Sequence, residues 1–132
     1  FDVCIFSFFS ITLVGCACCF HEIGSWDVSS VTDMSFMFGR AAVFNQNIGS
    51  WDISNVTDMS GMFYDTDVFN QNIGSWDVRS VTDMSGMFYN ATAFNQALSG
   101  WCVSLITTEP SNFDTSATSW VLARPVWGTC PS

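Results

Sequence analysis

Apolar side chains return along this chain at fixed intervals. Ile48, Trp51, Ile53 and Val56 are spaced by three, two and three residues, and Trp51-Asp52-Ile53 alternates in, out, in, as a half-buried strand does. The same spacing holds for Ile23, Trp26, Val28 and Val31, for Ile73, Trp76, Val78 and Val81, and for Leu98, Trp101, Val103 and Ile106. Further on, Met59, Met62 and Phe63 fall at i, i+3 and i+4, one face of a helical turn or two. Thr57 stands where a helix N-cap would, and Asp58 suits the positive end of the helix dipole. Ser60 and Gly61 are poor helix formers, so packing would have to hold this segment. Phe69 then re-enters the core, and Asn70-Gln71-Asn72 turns the chain back. The pattern predicts a unit of short strand, short helix and return loop.

That unit recurs. Trp26, Trp51, Trp76 and Trp101 are each 25 residues apart, and Gly24–Phe38, Gly49–Phe63 and Gly74–Phe88 are near copies around the common string VTDMS-x-MF. A second block returns in the same frame as Phe44-Asn45-Gln46-Asn47-Ile48, Phe69-Asn70-Gln71-Asn72-Ile73 and Phe94-Asn95-Gln96-Ala97-Leu98. So short a unit cannot enclose a core alone and becomes stable only by stacking on its neighbours. The apolar spacing is the L-x-x-L-x-L-x-x of a leucine-rich-repeat strand segment. The fold expected is α/β, a leucine-rich-repeat-like solenoid of about four to five 25-residue coils, each with a short parallel strand, with a C-terminal cap. Residues 21–107 would form the coils and residues 108–132 the cap.

The block FNQxIxxWDVSxVTDMSxMF resembles the BspA-like leucine-rich-repeat surface proteins of bacteria, mycoplasmas and algae, over about residues 21–130. The resemblance implies a solenoid, a secreted or cell-surface location, and adhesion or recognition. It supplies no catalytic residue.

Composition narrows the function classes. Twelve acidic residues face three arginines, Arg40, Arg79 and Arg124, and no lysine, for a net charge of −9. No basic patch exists to displace phosphate counterions or hold an anionic membrane surface, which argues against nucleic-acid and polybasic membrane partners. The single histidine, His21, leaves most acid–base and metal chemistry without its usual residue. The expectation is a non-enzymatic protein with no cofactor.

The two ends depart from the repeat. Phe1–Phe20 is nearly uncharged and reads either as a degenerate first coil or as the remnant of a hydrophobic signal or membrane segment. The chain begins without Met, which suggests a fragment or a processed product. At the other end, Pro110 stands in the 25-residue frame where earlier copies place Ser35, Ser60 and Ser85, predicting an altered last helix. Cys102 replaces the outward Asp, and Cys130 is the only cysteine near it in sequence, so a Cys102–Cys130 disulfide is expected to pin the cap. Cys4, Cys16, Cys18 and Cys19 form no spaced pair of pairs and give only a weak metal signal.

Candidate functional side chains follow from the outward positions. Asp27, Asp52 and Asp77 would stand on neighbouring strands and repel one another. Such a ladder suits a basic or glycan partner or, more weakly, calcium; the plainer reading is that each Asp fixes its own turn. Asp33, Asp58 and Asp83, with Thr32, Thr57 and Thr82, read as helix caps, and the Asn-Gln pairs as partners for loop amides. The met-rich face of Met34, Met37, Met59, Met62, Met84 and Met87 reads as core filling. Asn55 and Asn90 stand in glycosylation sequons, with Asn90 the better placed on a loop. Paired carboxylates for glycoside hydrolysis are rejected, because a ladder gives every Asp one environment. The leading expectation is an extracellular module for surface adhesion or protein interaction, with a protein or glycan at the cell surface as partner. The alternatives are an architectural unit that associates end to end into fibres or docks as a passive subunit, and a calcium-dependent carbohydrate binder.

Overall fold

The computed structural model describes residues Ile5–Ser7, Ser10–Thr12 and 22–132. Strands β1 (Ile5–Ser7) and β2 (Ser10–Thr12) form a two-stranded antiparallel hairpin in which Ile5 faces Thr12. The remaining residues of 1–21 lie outside the described part. So, therefore, do Cys4, Cys16, Cys18, Cys19 and His21, and most of the stretch read as a degenerate coil or hydrophobic remnant.

Residues 22–132 are not the α/β solenoid that the periodicity predicts. No α-helix forms there, and apart from one short 3-10 turn at Ile23–Ser25 the chain runs as a succession of turns and extended links. The expected helix fails at a named residue. Gly61 takes φ +60°, and its counterparts Phe36 and Gly86 take +53° and +61°, left-handed conformations that an α-helix does not contain. Hydrogen bonds then alternate. Met62 and Tyr64 donate three residues back, to Met59 and Gly61, while Gly61, Phe63 and Asp65 donate to Ser85, Met87 and Tyr89 of the next repeat. Successive turns therefore aim Met59, Met62 and Phe63 inward at a spacing that mimics a helix.

The expected parallel strand at Trp51-Asp52-Ile53 is also absent. The only bridges outside the hairpin, among the described residues, are the isolated parallel ones Asp33↔Asp58 and Asp58↔Asp83, in the segment read as helix. Beside Trp51 the backbone is spent on turns: Trp51 donates to Ile48 and Val56 to Ile53. The next repeat comes so close at Gly49 that a Cβ there would lie 2.5 Å from the Asn72 carbonyl oxygen.

Residues 25 apart nevertheless lie over one another. Phe38, Phe63 and Phe88 stack with centroids 5.7 and 5.5 Å apart, and Phe44, Phe69 and Phe94 at 5.7 and 5.9 Å. Within each repeat the two Phe columns also meet face to face, at 3.8, 4.0 and 4.2 Å. Trp76 and Trp101 stack nearly parallel at 6.5 Å. Three indole N–H groups are satisfied inside the stack: Trp51, Trp76 and Trp101 donate to the carbonyls of Ile23, Ile48 and Ile73, whereas the buried Trp120 Nε1 has no partner. All six Met side chains are fully buried in the same core.

The C-terminal segment continues this stack with one extra residue. Val81 and Met84 are three apart, whereas their counterparts Ile106 and Pro110 are four apart, so the insertion falls within 107–109. From there the match runs at 26: Phe113 donates to Pro110 as Met87 does to Met84, and Trp120 to Ala117 as Phe94 does to Ala91. Left-handed Asn112 and Ser116 repeat Gly86 and Asn90. Pro110 thus occupies a methionine position, not the serine position that the 25-residue frame assigns to it. The shift makes Asp114 the counterpart of Phe88, and Arg124 meets that carboxylate at 2.9 Å and lies over the Trp120 ring.

Candidate functional site

The acidic row Asp27, Asp52 and Asp77 is exposed. Asp27 accepts from the Ser29 amide at 3.1 Å and hydroxyl at 2.6 Å, and Asp52 accepts from Ser54 with the same two distances. Those bonds, the serine hydroxyl first, hold both carboxyls below the ordinary aspartate range; at Asp52 the neighbouring Asp27 charge pushes weakly the other way. Asp77 accepts from the Arg79 amide and has the exposed guanidinium of the same residue at 3.8 Å. Every member of the row is therefore tied into its own turn. Among the described residues, no three His, Cys, Asp or Glu side chains gather as a metal-holding group.

The other polar columns bind the repeats to one another. Thr57 and Thr82 are not helix caps: amide and hydroxyl of each donate to the carbonyl of the Thr one repeat earlier. Asp33, Asp58 and Asp83 accept from Ser35, Ser60 and Ser85 at 2.8 Å, closing turns in place of capping a helix. The Asn-Gln columns do meet loop amides. Asn45 Oδ1 takes the Asn70 amide and Gln71 Nε2, and Asn70 does the same for Asn95 and Gln96. Asn95 closes the series on Val121 and Leu122.

Of the sequon residues, Asn55 is exposed and donates to the Ser29 carbonyl, whereas Asn90 is half-buried, at φ +54°, and donates to Asp65 at 2.9 Å. Cys102 and Cys130 are joined in a disulfide, with Cα atoms 4.0 Å apart.

An aromatic edge escaped the sequence reading. Tyr64 and Tyr89 stack at 4.7 Å on the turn segment. In the first repeat, position 39 is Gly where the others carry Tyr, and position 36 is Phe where they carry Gly. Phe36, 47% exposed, meets Tyr64 at 5.9 Å and a tilt of 51°. Phe36, Gly39, Arg40 and Tyr64 line a groove of about 450 Å³. The signal was present in the sequence, as the two places where the first copy of an otherwise near-identical block exchanges Gly and an aromatic residue.

The architecture defines a class first: a repeat protein of stacked turns with a filled interior and ordered polar rows. Its family follows from comparison with known proteins. The model of the family described as "Mycoplasma protein of unknown function, DUF285" matches residues 8–121, and the chain belongs to that family. No curated protein and no solved structure matches the chain.

Proposed function

We propose that the chain is a non-enzymatic extracellular module of the BspA-like kind, displaying its acidic row for surface adhesion or protein interaction. The observation that carries this reading is the row itself. Three like-charged, exposed side chains, Asp27, Asp52 and Asp77, are each fixed by bonds to the residue two positions on. Neighbouring like charges cost stability, and pre-ordered charges favour a complementary partner. Membership of a repeat family and the shared block support the BspA-like assignment, and a disulfide suits an oxidising compartment. The partner this row fits is a basic protein surface.

The test is retention of the labelled protein on cell monolayers and on immobilised basic matrix proteins. Binding should fall with added salt and be lost in the triple variant Asp27→Asn, Asp52→Asn, Asp77→Asn. Retention unchanged in that variant, or absent from the parent, would sink the proposal. Chelation of calcium should leave binding unchanged.

An architectural reading has its own support at the C-terminal end, where Val121 (79% exposed), Leu122 and Val126 face outward. Under it, sedimentation velocity would show mass rising with concentration, and Val121→Asp would prevent the rise.

A further inference from the structure

We infer that the groove at the first repeat binds a pyranose ring bearing a carboxylate, a glycuronate residue of an acidic glycan. The inference rests on the surface-recognition reading and gives it a ligand class, at residues other than the acidic row.

In the second and third repeats one tyrosine ring covers the next: Tyr64 and Tyr89 lie 4.7 Å apart and 8° from parallel. The first repeat breaks the column. Its aromatic residue has moved from position 39 to 36, where the ring lies over Gly61, so close that a Cβ on Gly61 would fall 2.4 Å from it. Phe36 therefore meets Tyr64 at a tilt and stands as a side wall, and with Gly39 at the floor no parallel ring continues the stack. The phenylalanine comes at a conformational cost, since Phe36 takes the left-handed φ, +53°, that Gly61 and Gly86 take in the later repeats.

Arg40 supplies the charge. Arg79 and Arg124 are paired with Asp77 and Asp114, whereas Arg40, exposed on the groove wall, makes no ion pair among the described residues. Its backbone is pinned by the Arg40 amide donating to the Tyr64 carbonyl at 2.6 Å. A guanidinium receives a carboxylate through two parallel N–H donors. The negative face of a tyrosine ring attracts the C–H edges of a sugar. The groove is open along the surface, so hydroxyls of a bound pyranose stay hydrated.

The experiment titrates the intact chain with methyl β-D-glucuronide, following the Tyr64 and Phe36 ring resonances by NMR, with methyl β-D-glucoside and benzoate as comparisons. The glucuronide should shift those resonances saturably and bind at least about tenfold more tightly than the glucoside. Arg40→Gln should erase that preference. The double variant Phe36→Gly, Gly39→Tyr gives the first repeat the residues its neighbours carry at both places; it should keep the thermal transition and lose binding. Should that variant misfold, Arg40→Gln at the surface still decides. Overturning results are the absence of a saturable shift at Tyr64, tighter binding of benzoate, or full binding by a folded double variant. If glucuronide fails while retention on cells persists and still depends on the three aspartates, this inference alone falls.

Discussion

At the scale of single residues, the stack is held by backbone and indole groups with defined partners. The Ile48 carbonyl accepts both the Trp51 amide and the Trp76 indole N–H, using both lone pairs. Trp76→Phe removes one of these bonds and some buried ring, so it should cost about 1–3 kcal/mol in urea denaturation. No loss would mean that the indole bond contributes nothing net. Gly49→Ala should be worse than its size suggests, because the new Cβ meets the Asn72 carbonyl at 2.5 Å and backbone cannot swing away. Asp27 and Asp52 set a pH dependence. Both carboxyls are depressed in the folded chain, so their contribution is present above the unfolded aspartate value of about 3.9 and is lost as pH falls through the folded values. NMR titration should find both midpoints below that value, and Ser29→Ala and Ser54→Ala should each raise its own partner's midpoint.

At the scale of the repeat element, the alternation of bonds explains why neither helix nor sheet forms. Half of the turn amides close turns within a repeat and half reach the next repeat, so each unit needs its neighbour for backbone satisfaction as well as for burial. This makes the turn segment sensitive to length and the 107–109 link insensitive. Earlier repeats cross from Val31 to Met34, and from Val81 to Met84, with two intervening residues, whereas Ile106 to Pro110 uses three. Deleting exposed Thr108 should therefore be tolerated, changing stability by less than about 1 kcal/mol. Deleting Ser60 should abolish the thermal transition, because it throws Met62 and Phe63 out of their columns. Equal damage from both deletions would refute the assigned insertion.

At the scale of the whole molecule, cooperativity runs along the Phe and Trp columns. Phe63 packs on Phe38 and Phe88 across repeats and on Phe69 within its own, so Phe63→Ala should cost about 3–5 kcal/mol. The last repeat described is secured by the Asp114–Arg124 pair, half-buried, and by the Cys102–Cys130 bridge. Replacing both cysteines with serine should lower stability by about 3–4 kcal/mol on chain-entropy grounds. Hydrogen exchange should then show protection lost first in residues 121–132. Uniform loss along the chain would mean that the bridge does not act locally.

The repeat length, the identity of the stacked columns, the Asn-Gln contacts with loop amides and the disulfide were all legible in the sequence. Each follows from residue type recurring at a fixed interval or, for the disulfide, from a pair of cysteines close in sequence. Local conformation was not. Met59, Met62 and Phe63 point inward whether the backbone is helical or a chain of turns, because burial fixes the direction of a side chain and leaves φ and ψ free. The choice fell to tertiary structure, where the next repeat offers carbonyls to Gly61, Phe63 and Asp65 that an isolated segment lacks. For the same reason, the exchange of Gly and an aromatic residue at positions 36 and 39 is written in the sequence, but only the laying of one repeat upon another decides that it opens a groove beside Arg40.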